Sequence, residues 1–189
     1  MRVFIAIRLP DYIKNFASLV EENLKVNLPK ISWVKPPNLH LTLKFLGEIS
    51  DKQLDKVKQI TSEIASQTSS FKIRLEDIGI FPDLKKARII WIGSHNITQK
   101  LIKIVEILDT ELAKLGFPKE KRDFQAHITI GRIKIHIDPS LLEENLTEIK
   151  KLLNKKPGFT AQGLTIFQST LGRMGAVYNA LSEDKFKTT

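Results

Sequence analysis

A chain of 189 residues, 42% hydrophobic and 27% charged, is long enough to bury a core as one domain or two closely packed lobes, which excludes a disordered or fibrous protein. No apolar run reaches the length of a membrane span, and Met1 leads straight into strand-like residues, so neither a signal peptide nor a membrane partner is expected and the location read is cytoplasmic. Cysteine is absent, which removes disulfides, thiolate nucleophiles and cysteine-based metal sites, while a net charge of +9 favours polyanions such as RNA.

Arg2 to Leu9 predicts a first strand. Val3, Ile5, Ile7 and Leu9 share one face, and Phe4 and Ala6 make the other partly apolar, so the strand is expected to be central and covered by helices. Asp11 is expected to cap a helix to about Lys25, with Ile13, Phe16, Ala17, Val20 and Leu24 along one stripe. Pro29 ends that unit, and Ile31 to Val34 runs through Pro36-Pro37 into Leu39-His40-Leu41-Thr42-Leu43. There polar and apolar residues alternate, so a strand would place His40 and Thr42 on one face and the leucines on the other.

Gly47 closes the His40 strand, and Ser50 with Gln53 forms a capping-box pattern for a helix to about Ala65. Phe71 to Phe81 and Ala87 to Ile92 read as strands joined by a turn at Pro82-Asp83. Asn96, with Gln99 three residues on, marks the start of an amphipathic helix to Leu115, closed by Gly116. The second alternating stretch, Ala126-His127-Ile128-Thr129-Ile130, follows a basic loop. Asp138-Pro139 opens a helix to about Leu153. Phe159 to Leu171 and Ala176 to Glu183 form a closing pair of strands around the loop Gly172-Arg173-Met174-Gly175, and Lys185 to Thr189 reads as a frayed tail.

Two His-apolar-Thr-apolar strands by accident, given four histidines, is an event of about one in a thousand on ordinary composition. The histidines stand 87 residues apart (127 − 40), close to half the chain, which indicates a divergent duplication: two α+β lobes, each contributing one His-x-Thr strand. Within the second copy the apolar parity changes from even (Ile128, Ile130) to odd (Ile133, Ile135, Ile137). A β-bulge at Gly131 would account for the slip and turn Arg132 onto the face of His127 and Thr129; without it Arg132 points away and is a structural charge.

Two imidazoles and two hydroxyls facing one cleft suit acid–base chemistry at phosphorus: one His activates a nucleophile, the other protonates a leaving oxygen, and the Thr hydroxyls meet the non-bridging oxygens. Symmetry alone does not say which His does which. Arg132 would add a charge-assisted contact to the same phosphate. Trp33 and Phe124, near the strand starts, are candidates to stack on a base, whereas Phe45 shares the apolar face with Leu43 and is assigned to the core. Lys35, Lys44, Lys121, Arg122 and Arg173 read first as solvated charges and second as contacts to an RNA backbone. His40, His95, His127 and His136 share no ligand spacing, so no metal site and no cofactor is expected.

The stretches Trp33 to Gly47 and Asp123 to Arg132 resemble the motifs of the 2H phosphoesterase superfamily, in its RNA 2',3'-cyclic phosphodiesterase (2'-5' RNA ligase-like) branch, and the resemblance covers nearly the whole chain. It implies a single bilobal domain over residues 1–189, α+β in class, with two pseudo-symmetric lobes of antiparallel sheet and packed helices around a cleft. It implies hydrolysis of RNA 2',3'-cyclic phosphate ends, tRNA fragments among them, to 2'-phosphates, with His40 as proton donor and His127 as proton acceptor. Reverse 2'-5' ligation is a side activity, and a monomer is expected. Related readings are a phosphodiesterase of 2'-5' oligonucleotides or of cyclic ADP-ribose phosphate, and a non-catalytic RNA- or nucleotide-binding module.

Overall fold

The computed structural model describes residues 1–154, 157–172 and 175–188. Ten strands, β1 (Arg2–Arg8), β2 (Ser32–Trp33), β3 (His40–Glu48), β4 (Phe71–Arg74), β5 (Asp77–Phe81), β6 (Ile89–Ser94), β7 (Ala126–Arg132), β8 (Gly158–Ala161), β9 (Gly163–Gly172) and β10 (Gly175–Lys185), accompany four helices. The helices are α1 (Asp11–Lys25), α2 (Asp51–Gln67), α3 (Gln99–Lys114) and α4 (Pro139–Leu153). The large sheet runs β10-β9-β1-β3-β7-β6-β5, with β2 added beside β7, while β4 and β8 make a separate pair. All pairings between these strands are antiparallel.

The duplication is visible in this order. β3 and β7 lie at the centre; β1 flanks one and β6 the other. β5 follows the His40 strand in the chain yet pairs with β6 in the other half, and β9 follows the His127 strand yet pairs with β1. Each half-sheet is therefore completed by the opposite half of the sequence. The single stretches expected over Phe71 to Phe81 and Phe159 to Leu171 each split, because their first strands leave the large sheet to pair with each other as β4 and β8.

One face of the large sheet carries the main core. Val3, Ile5 and Ile7 of β1, Leu41 and Leu43 of β3, and Ile128 and Ile130 of β7 meet the apolar stripes of the four helices, such as Ile13 and Val20 of α1 and Ile104 and Leu108 of α3. Fully burying side chains of this size contributes about 1.5–3 kcal/mol each. The other face of β1 is not covered by a helix as expected: Phe4 and Ala6 join Phe167 and Tyr178 in a small aromatic cluster.

Helix ends follow local chemistry. Ser50 and Gln53 form the reciprocal capping box, and Asp138 accepts from the Ser140 and Leu141 amides. Two caps differ from expectation. Pro10 precedes α1 and Asp11 is its first residue, where the carboxylate meets the positive end of the helix dipole. Thr98, not Asn96, caps α3, since Asn96 is engaged by Ser94 and Glu76. The tail is tied down rather than frayed: Lys187 bonds to Thr68 and Ser70, and Phe186 is buried. Among the described residues no helix is long and apolar enough to cross a membrane.

Candidate active site

The two halves of the sheet touch through one registered pair, Leu41 opposite Ile128. Antiparallel pairing one residue to either side sets His40 across from Thr129 and Thr42 across from His127. Leu41 and Ile128 point into the core, so the four polar side chains stand together on the opposite face. The face of the sheet that carries these four side chains, along β3 and β7, is the candidate cleft face.

Each imidazole is held in the same way. His40 Nδ1 lies 2.7 Å from the Asn38 carbonyl and His127 Nδ1 lies 2.8 Å from the Gln125 carbonyl, in both cases two residues upstream. A carbonyl only accepts, so Nδ1 carries the hydrogen and Nε2 is left to face the cleft. Burial pushes the His40 pKa down to about 4; the Asn38 bond opposes this, while the nearby His127 and Arg132 add to it. Burial also lowers His127, again opposed by its carbonyl bond. Both rings are thus neutral near pH 7, each presenting a lone pair on Nε2.

Three residues after each His the strand slips by one. On β7 the slip falls at Ile130, beside Gly131: Trp91 registers with Thr129 but Ile90 with Gly131. This is the expected bulge, and it sets Arg132 opposite Ile89, on the face of Thr129 and His127. On β3 the equivalent slip falls at Leu43, with another at Leu46. It reverses two assignments made from alternation. Lys44 turns into the protein, where its ammonium meets the Asp109 carboxylate and, at 2.7 Å, the Pro118 carbonyl. Phe45 turns out onto the cleft face and is 69% exposed. Phe45 and Arg132 thus occupy equivalent positions, five residues after His40 and His127: an aromatic ring at one end of the cleft and a guanidinium at the other.

Neither aromatic expected to stack on a base lies beside an imidazole. Trp33 pairs with Gly131, where a Cβ would come within 3.1 Å of the indole and 2.9 Å of Ile31, so the glycine leaves room for both side chains. Phe124 packs against the main core. The rings that meet the histidines come from neighbouring strands instead. Phe4, Tyr178 and Phe167 lie 4.7, 5.2 and 6.0 Å from His40 (centroid to centroid). Phe81 and Trp91 lie 5.0 and 6.5 Å from His127. A signal for the outer pair was present: Phe81 and Phe167 follow the two motif histidines by nearly the same distance. Lys35, Lys121 and Arg122 are exposed, and Arg173 lies outside the described residues. Among the described residues no group of three or more His, Asp or Glu is placed to hold a metal ion.

A duplicated α+β fold that brings two His-x-Thr strands side by side on one face is that of a 2H phosphoesterase. The chain belongs to the LigT-like phosphoesterase family, which matches residues 7–91 and again residues 92–178, one match per motif. It is 34% identical to the RNA 2',3'-cyclic phosphodiesterase of Methanocaldococcus jannaschii over 97% of this chain and 99% of that one. Proteins of the same name from Thermotoga maritima (32% identity, 99% and 96% covered) and Aquifex aeolicus (30%, 97% and 96%) are also similar. The fold is shared with a Thermus thermophilus protein (TM-score 0.81, 22% identity, 98% of both chains). It is shared too with Escherichia coli LigT solved with 3'-AMP (TM-score 0.74, 23% identity, 98% and 97%).

Proposed function

We propose that the protein hydrolyses RNA 2',3'-cyclic phosphate ends to 2'-phosphomonoesters by two-histidine acid–base catalysis that needs no metal. The observation that carries this reading is the quartet of His40, Thr42, His127 and Thr129 on one face, with both Nδ1 atoms tied to main-chain carbonyls and both Nε2 atoms left for substrate. A module that only binds has no need of two imidazoles oriented as a proton-transfer pair.

In this mechanism the cyclic phosphate sits over the two threonines, whose hydroxyls donate to its non-bridging oxygens, and Arg132 supplies a cation. Water attacks phosphorus and gives its proton to His127 Nε2. The bond from phosphorus to O3' breaks, and O3' takes a proton from His40 Nε2, leaving a 2'-phosphate and a free 3'-hydroxyl. His40 is the harder ring to protonate, chiefly because it is buried, with His127 and Arg132 adding to the effect. An anionic phosphate beside the ring directly favours its charged form and raises the His40 pKa, so the acid is armed when substrate binds. Run backwards with an RNA 5'-hydroxyl in place of water, the same groups would form a 2'-5' bond.

Phe45 takes the role first given to Trp33 and Phe124, as an exposed ring on which a nucleobase stacks. The basic surface, +9 overall, suits an RNA substrate, tRNA fragments included. The test is to incubate the protein in excess EDTA with a short RNA ending in a 2',3'-cyclic phosphate and to separate the products. A 2'-phosphate product, lost in His40→Ala and His127→Ala, is expected. A 3'-phosphate would overturn the direction of cleavage, and binding without hydrolysis would leave a binding module.

A further inference from the structure

The β1 residue in register with His40 is Arg8, and since Ile7 and Leu41 beside them face the core, Arg8 and His40 share the cleft face. The guanidinium lies 5.4 Å from the centroid of the Phe167 ring, which is itself 6.0 Å from the His40 ring. Its ion pair is loose: Glu183 on β10 stands 3.6 Å away, and both side chains are half-exposed. At the equivalent place beside His127 the neighbouring strand carries Gly93, where a Cβ would sit 2.2 Å from the Ala126 carbonyl oxygen. No side chain fits there. A second guanidinium therefore flanks the site at the His40 end alone.

A cyclic phosphate carries a single negative charge, and Arg132 already supplies a cation for it. The next anion along an RNA strand is the phosphodiester on the 5' side of the terminal nucleotide, one sugar away. We propose that Arg8 is a second anion site that takes this phosphodiester and so makes the enzyme favour oligonucleotide ends over cyclic mononucleotides. The proposal rests on the phosphodiesterase reading above and adds a substrate class to it. The cation–π contact with Phe167 holds the guanidinium beside the site, while Glu183, at the loose end of the pair, gives way to the stronger phosphate acceptor. Arg8 is a specificity residue and moves no proton.

The experiment compares kcat/KM of the wild type, Arg8→Gln and Glu183→Gln on three substrates. These are adenosine 2',3'-cyclic phosphate, the diadenosine dinucleotide ending in a 2',3'-cyclic phosphate, and that dinucleotide with an uncharged methylphosphonate linkage. Arg8→Gln should lower the dinucleotide-to-mononucleotide preference about tenfold, through KM, as expected for one lost charge-assisted contact. Glu183→Gln should raise it, and the methylphosphonate should behave as the mononucleotide does in every variant. Equal losses on all three substrates would make Arg8 a purely structural residue and overturn the proposal, as would an unchanged preference. Should the wild type hydrolyse none of them, the phosphodiesterase reading fails on its own. Arg8 is then still read by calorimetric titration with adenosine 2'-phosphate and with the dinucleotide 2'-phosphate, where Arg8→Gln must weaken only the second.

Discussion

Replacing His40 by Asn should remove much of the protein's sensitivity to mild acid. An imidazole in the unfolded chain titrates near 6.5, whereas His40 in the folded protein accepts a proton only near 4. Between those values the unfolded chain holds the extra proton, so acid draws the equilibrium toward unfolding: stability from this residue is flat above about pH 7 and falls as pH drops toward 4. Integrated from pH 7.5 to 4.5, the loss is about 2–3 kcal/mol for this one side chain. His127, whose pKa is also lowered by burial, adds in the same sense but is common to both proteins. An Asn amide can keep the bond to the Asn38 carbonyl, which limits structural side effects. Urea unfolding in phosphate-free buffer at half-unit pH steps measures both curves. The wild type should lose about 2–3 kcal/mol more than His40→Asn over this range. Parallel curves would mean that His40 is solvated, and the arming of the acid by substrate would lose its basis.

Lys44→Met should cost about 2–3 kcal/mol in urea unfolding, since it strips the partly buried Asp109 carboxylate of its cation; a loss below 1 kcal/mol would show that water replaces the ammonium. Asp109 itself is held below the usual carboxylate range by Lys44 and the Glu120 amide, so this partnership persists down to pH 4. Gly131→Ala should destabilise by about 1–3 kcal/mol through overpacking against Ile31 and Trp33 and displace Arg132. It should therefore lower kcat/KM more than its effect on folding predicts, and a fully active, stable variant would contradict the account of the bulge. Phe45→Ala should raise KM about tenfold for adenosine 2',3'-cyclic phosphate, with Phe45→Tyr close to wild type; equal KM values in all three would remove Phe45 as a stacking surface.

Much of the site was legible because it is local. Alternation over five residues puts His and Thr on one face of a strand, and it does so twice. The parity change after Ile130 exposed the bulge that brings Arg132 round, because a strand cannot shift its apolar set to the other face without an extra residue. The same signature, odd Leu43 followed by even Leu46, stands in the first motif; followed through, it would have placed Lys44 inside and Phe45 outside. There the apolar character of Phe45 misled, since hydrophobicity says that a ring prefers burial, not that room for it exists.

The chain by itself determined the strand faces, the capping box at Ser50, the duplication, and the two imidazole–hydroxyl pairs, all of them set by backbone geometry within a few residues. Tertiary structure alone decided which strands are neighbours. The exchange of β5 and β9 between the halves places Phe81 beside His127 and Phe167 beside His40, more than forty residues from the imidazole in one case and more than a hundred in the other. It also decided the burial that holds both imidazoles neutral. Strand pairing across such distances is chosen by how two half-sheets share a core, and no short stretch of sequence carries that choice.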